Sequence, residues 1–338
     1  MNIFTFIRSY LLVASFIVLP SCAGYRSSLK THNAESSLDR EFCTQEDQKL
    51  NEGQQDSAPW VTVWIHGTQP SFEHAPGKRL RHFLQKHANE YFYSERGLHP
   101  ISAQPKTNRH YAFAHLLNQG DPVRFPAEHF YTFGWSGDLS FKARQAAGAT
   151  LYQELVSFVH DFKQVHGVAP RLRLITHSHG GNVALNLAQA QEEQRKDLVI
   201  DELVLLACPV QEKTCHLVQN SLFKKVYSCY SSLDLLQVLD PQGLYKSNRL
   251  KTSVFSKRRF PDSCDNVVQA KIRFNKRAML HVEFLSDQFV RALPHIITRL
   301  ETWHPSPANV AKIKQIRIHA NTGRLSDLHC SYVLHSQR

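Results

Sequence analysis

Short apolar runs of strand length recur along this chain, separated by stretches whose apolar residues return every three or four positions. Six runs have the β-branched and aromatic content of buried strands: 61–65, 129–133, 172–175, 203–206, 225–230 and 267–274. Between them, Leu151, Leu155, Phe158, Val159 and Phe162 fall on one helical face. Leu285, Phe289, Leu293, Ile297 and Leu300 fall on another, where Pro294 predicts a kink. Both stripes are core positions and are assigned no ligand. Strands alternating with helices in this way predict an α/β fold, a mostly parallel sheet with helices on both faces. Residues 89–127 and 241–266 show no strong period and are expected as loop inserts that could form substrate contacts or plain surface. Residues 313–319 and 329–334 flank Asn321-Thr322-Gly323 and predict a β-hairpin within a C-terminal extension over 306–338. The hydrophobic fraction of 42% supports one sizeable core, placed in a single domain over 58–305.

Candidate chemistry gathers where the strand runs end. The run 172–175 leads into Thr176-His177-Ser178-His179-Gly180-Gly181 and then into a helix-like stretch. A serine on so sharp a strand-to-helix turn is strained and exposes its oxygen, and Gly180 supplies the small neighbour that the turn needs. The plain alternative is an ordinary turn of an α/β protein. Upstream, the run 61–65 enters His66-Gly67-Thr68, where glycine lets the next backbone N–H point into a site. Downstream, 225–230 ends in Ser231-Ser232-Leu233-Asp234, which sets a carboxylate just beyond a strand end. After the run 267–274 and a basic loop, His281 stands before a helix-like run beginning at Val282. Chain order is therefore serine, aspartate, histidine.

At these residues the chain resembles the α/β-hydrolase superfamily, in its lipase and esterase-like branch with the nucleophile context T-H-S-x-G-G. The resemblance spans residues 58–302, with Phe133-Gly134-Trp135-Ser136-Gly137 resembling the strand end before the helix that precedes the elbow. Thr176 departs from the pattern, since G-x-S-x-G has a glycine there. The resemblance implies Ser178 as nucleophile, His281 as general base and Asp234 as the acid that orients it. It also implies an oxyanion hole from the backbone N–H groups of Thr68 and His179, with the Thr68 hydroxyl as a further donor. The implied reaction is hydrolysis of a carboxylic ester, of lipid or other acyl type, with no cofactor. Thioesterase, amidase or acyltransferase chemistry stays open, as does a hydrolase-fold lipoprotein that only binds.

Rivals to these residues stand in worse positions. Among 20 histidines, His295 lies inside a helical pattern and His304 follows it. Asp240, before Pro241, is the alternative acid and reads otherwise as a turn aspartate. His177 and His179 could join His66 around a metal, but no carboxylate or cysteine completes a ligand spacing, so no metal site is expected.

The remaining features concern compartment and partners. Residues 1–21 read as a signal peptide whose apolar core spans 10–19, and Leu19-Pro20-Ser21-Cys22 resembles a bacterial lipobox. Lipidated Cys22 would tether an exported protein to the membrane of the bacterial envelope through the polar segment 22–57; simple cleavage or an uncleaved anchor stays open. The six other cysteines are 43, 208, 215, 229, 264 and 330, an even number in a disulfide-permissive compartment. Cys208 and Cys215 are near enough in sequence to bridge, whereas Cys229 reads as a small buried hydrophobe. Of the formal charge of +11, most arises between 241 and 277, where ten Lys or Arg face two Asp. Such a rim suits anionic head groups or a solvated loop; no motif supports nucleic acid.

Overall fold

The computed structural model describes residues 58–69, 78, 82, 94–234, 259–260, 264–274, 277–301, 313–318 and 329–333. The signal peptide, Cys22, the tether, Asp240, His304 and most of the basic insert lie outside the described residues. The strands are β1 Trp60–Ile65, β2 Gly97–Pro100, β3 Phe130–Gly134, β4 Arg171–His177, β5 Ile200–Leu206, β6 Phe223–Tyr230, β7 Val267–Phe274, β8 Arg277–Ala278, β9 Ile313–Ile318 and β10 His329–Val333. They form one sheet in the order β10-β9-β7-β6-β5-β4-β1-β3-β2, with β8 on β7. From β3 through β9 along that order the pairs are parallel, and β2–β3, β7–β8 and β9–β10 are antiparallel. The hairpin over the last two strands extends the sheet at its edge.

Five α-helices cover the sheet among the described residues: α1 Arg109–Gly120, α2 Phe141–His166, α3 Gly180–Leu185, α4 Leu187–Gln194 and α5 Asp287–Glu301. Side chains alternate along each strand and so feed two cores. Val61, Val63, Leu172, Leu174, Leu203 and Leu205 pack with α2, α3 and α4 on one face. Trp64, Ile175, Val204, Leu206, Ala270 and Ile272 pack with α1 and α5 on the other. All five residues of the Leu285 stripe are buried, while the Leu151 stripe has Phe158 and Val159 at its half-buried margin. No described helix is long and apolar enough to cross a membrane.

Four expectations are corrected. The insert 89–127 contains α1, started by Asn108, whose side chain accepts from the His110 N–H at 2.8 Å. Its Phe113, Ala114, Leu116 and Leu117 are buried, so this part of the insert is core and not a loop. His129 belongs to a short 3-10 turn, and β3 begins one residue later. His281 opens a 3-10 turn, His281–Leu285, ahead of α5. Cys208 and Cys215 are not bridged to each other, and Cys215 and Cys229 are free thiols. Cys208 is instead held in the core, where its Sγ is 3.8 Å from the Asn182 amide nitrogen. The Cys229 thiol is buried, and burial pushes its pKa up to about 12.

Candidate active site

Four adjacent parallel strands end level with one another. The register pairs Ile65 with Thr176, His177 with Leu206, and Leu206 with Cys229. The segments that leave these ends are therefore His66-Gly67-Thr68, Ser178, Ala207 and Ser231 to Asp234. This is the edge at which open parallel sheets present their ligands.

Ser178 has φ of 53°, in the left-handed region where a residue with a Cβ is strained by about 1–2 kcal/mol. Surrounding contacts hold it there. Its N–H donates to the Leu206 oxygen at 2.9 Å, extending the ladder by one bond, and its backbone carbonyl accepts from the Gly181 N–H at 3.0 Å. Ala207 repeats the device one strand over, with φ of 51° and its N–H on the Cys229 oxygen at 2.9 Å. Thr176, which stands where the elbow pattern has glycine, is an interior strand residue. Its hydroxyl donates to the Val204 oxygen at 3.3 Å, and it is fully buried. The tight approach is carried instead by Gly67: a Cβ there would lie 2.8 Å from the Ser178 Cβ.

Asp234 and His281 come together across 47 residues of chain. Nδ1–H of His281 is shared by both carboxylate oxygens, each at 2.9 Å. In the neutral ring this leaves the lone pair on Nε2. Asp234 is fully buried, whereas Ser178 and His281 are each 8% exposed. The carboxylate is thus shielded while the serine and the imidazole keep a small opening to solvent.

The histidines around the turn are structural partners. His177 donates from Nε2 to the backbone oxygen of His281 at 3.2 Å, and the two rings lie 4.7 Å apart. Burial and the neighbouring His281 hold its pKa well below the ordinary imidazole value. His179 accepts at Nδ1 from the Asn182 amide at 3.4 Å. Asn182 is itself tied to the Pro209 oxygen at 3.0 Å and to the Thr214 hydroxyl at 2.7 Å. His66 packs against Trp135, and burial lowers its pKa to about 4. Among the described residues no group of three His, Cys, Asp or Glu is arranged to hold a metal. The Thr68 hydroxyl is buried and has no hydrogen-bond partner. A buried donor in that state is costly by about 1–3 kcal/mol unless something fills it.

His295 lies in α5, among residues packed on the sheet. Sequence spacing did not disclose the roles of His177, Trp135 or Ala207. Their contacts depend on how β1 meets β3, how β5 meets β6, and where the end of β4 meets the turn at His281, to which no local pattern points.

No protein-family model matches this chain, and none of the curated proteins matches it. Among solved structures it is similar to the crystal structure of Aspergillus fumigatus lipase B. The identity is 10%, with a TM-score of 0.34 over 70% of this chain and 51% of that one. The chain thus spans about half the length of that lipase.

Proposed function

We propose that this protein is a serine hydrolase acting on a carboxylic ester, of lipid or other acyl type. The observation that carries the reading is the buried Asp234 carboxylate held on Nδ1 of His281, on the loops next to the strained Ser178 turn. With Nδ1–H committed to Asp234, Nε2 is the basic atom and takes the Ser178 proton as its oxygen attacks the substrate carbonyl. The serine–carbonyl bond forms, the carbonyl oxygen takes the negative charge, and Asp234 stabilises the imidazolium. Backbone N–H groups of Thr68 and His179 receive that oxyanion, and the unused Thr68 hydroxyl adds a third donor. Each such donor is worth about 3 kcal/mol of barrier stabilisation. The imidazolium then protonates the leaving oxygen as the ester bond breaks. Water, deprotonated by the same nitrogen, releases the acyl group and restores Ser178. Water exclusion at the acid and an opening at the serine suit an acyl group that enters from solvent.

Fluorophosphonate labelling of the folded protein and of Ser178→Ala tests the reading. Labelling that disappears in the variant supports an activated serine at 178, and hydrolysis of p-nitrophenyl esters then ranks acyl chains. A folded wild-type protein that stays unlabelled and inactive would instead favour a hydrolase-like scaffold that only binds.

A further inference from the structure

We propose that His66 is a positioning residue: locked as a single tautomer between Trp135 and Gly67, it turns the Gly67–Thr68 peptide so that the Thr68 N–H points away from the imidazole and into the oxyanion site. The inference deepens the serine hydrolase reading and rests on it.

Three hydrogen bonds define the lock. The His66 Nδ1–H donates to the Gly67 oxygen at 2.8 Å. Trp135 donates twice, from its backbone N–H to His66 Nε2 at 3.2 Å and from its indole Nε1–H to the His66 oxygen at 2.9 Å. A backbone N–H can only donate, so Nε2 must carry the lone pair and Nδ1 the proton. The ring is also stacked, with Trp135 at 5.8 Å and 18° and His110 at 6.4 Å and 11°. It is 1% exposed. Burial keeps it neutral, with a pKa of about 4, so the tautomer persists through neutral pH.

The consequence follows from peptide geometry. In a planar trans peptide the C=O and the following N–H point in opposite directions, and no described peptide bond here is cis. Fixing the Gly67 oxygen on the imidazole therefore fixes the Thr68 N–H on the opposite side. Gly67 is the residue whose backbone lies against Ser178. One residue later the Gln69 N–H is tied to the Gly137 oxygen at 3.0 Å, so the peptide is held from both sides. A donor preset in this way needs no reorganisation when the oxyanion forms.

The test compares three variants of the full chain. His66→Phe keeps a stacked ring without nitrogen. His66→Asn restores a short amide donor toward Gly67, and His66→Gln reaches in place of Nε2. With p-nitrophenyl acetate, His66→Phe is expected to lose about 100-fold in kcat with KM within about twofold, and His66→Asn to recover most of that loss where His66→Gln does not. Equal kcat in wild type and His66→Phe, or no recovery in His66→Asn, overturns the proposal while Ser178-dependent labelling of wild type leaves the hydrolase reading standing. Absence of that labelling removes both. Should His66→Phe fail to fold, nitrogen-15 histidine spectra of the wild type decide. A ring protonated on Nδ1 and unchanged from pH 8 to pH 5.5 is expected; an Nε2–H signal or a titrating ring would overturn the lock.

Discussion

The backbone oxygen of His281 rests on the Nε2–H of His177 at 3.2 Å, so the residue before the candidate nucleophile carries the backbone of the candidate base. This bond crosses 104 positions of sequence and couples the end of β4 to the turn that follows β8. It requires a proton on Nε2 of His177, while Nδ1 is buried with no hydrogen-bond partner. A proton there would put a cation beside the His281 ring, and burial opposes it.

Replacing His177 by Leu should orphan the His281 carbonyl and cost about 2 kcal/mol of stability. His177→Gln, whose amide nitrogen reaches about as far as Nε2, should recover roughly half of that loss. Because the carbonyl belongs to the proposed base, kcat should drop more in the Leu variant than in the Gln variant at equal folded fraction. Urea unfolding paired with ester hydrolysis reads both quantities, and identical behaviour of the two variants would show that the bond positions nothing.

His66 gives a pH dependence with a definite sign. Its pKa is about 4 in the fold against an ordinary value of 6.5 in the unfolded chain. Between those values the unfolded state binds the extra proton, so this contribution is complete above pH 6.5 and lost as pH falls toward 4. The difference corresponds to about 3 kcal/mol when fully lost. Glu301 acts in the opposite sense, because burial, with Glu202 beside it, raises its pKa to about 7. Wild-type unfolding alone would blend the two. The stability difference between wild type and His66→Asn should therefore shrink by about 2.5 kcal/mol from pH 7.5 to pH 4.5. A difference that stays constant over that range would mean that His66 titrates normally in the fold.

The strand ends were legible from sequence because buried parallel strands are continuous apolar runs, and the six runs each overlap an observed strand, with only His129 falling outside it. The order Ser178, Asp234, His281 was read from those ends, and of the three residues the structure joins Asp234 and His281 by a hydrogen bond. Helix α1 was hidden because its buried face mixes His110 with Phe113, Leu116 and Leu117, and because Tyr111 and His115 blur the polar face. The His66–Trp135 and His177–His281 contacts were hidden for a different reason. Each joins residues from different strand ends, and it exists only once the register has been set.

On the face lined by α1 and α5, Arg173 donates from Nε to Glu202 at 2.6 Å, with both side chains almost wholly buried. Arg124 reaches the same carboxylate at 3.4 Å, and the Arg173 guanidinium lies over the rings of Trp60 and Phe125. Removing one charge leaves the other buried without compensation, which costs about 3–5 kcal/mol. Glu202→Leu should fall in that range by chemical denaturation, and Arg173→Met with Glu202→Leu should regain much of it. Additive losses in the double variant would mean that the two residues do not act as a pair.

Gly180 tests whether the Ser178 turn and the His66-Gly67-Thr68 segment are mechanically joined. A Cβ at this position would lie 2.5 Å from the His66 oxygen and 2.6 Å from the Ile65 oxygen, and both are backbone atoms that cannot swing aside. The His66 oxygen is already engaged by the Trp135 indole at 2.9 Å, so displacing it disturbs the bond that holds His66 in place. Gly180→Ala should therefore cost about 1–3 kcal/mol as overpacking. It should also slow fluorophosphonate labelling of Ser178 by more than tenfold in the fraction that remains folded, because the strain is relieved along the His66-Gly67-Thr68 segment. Stability lost with an unchanged labelling rate would show that α3 absorbs the extra methyl by itself and that the two loops move independently.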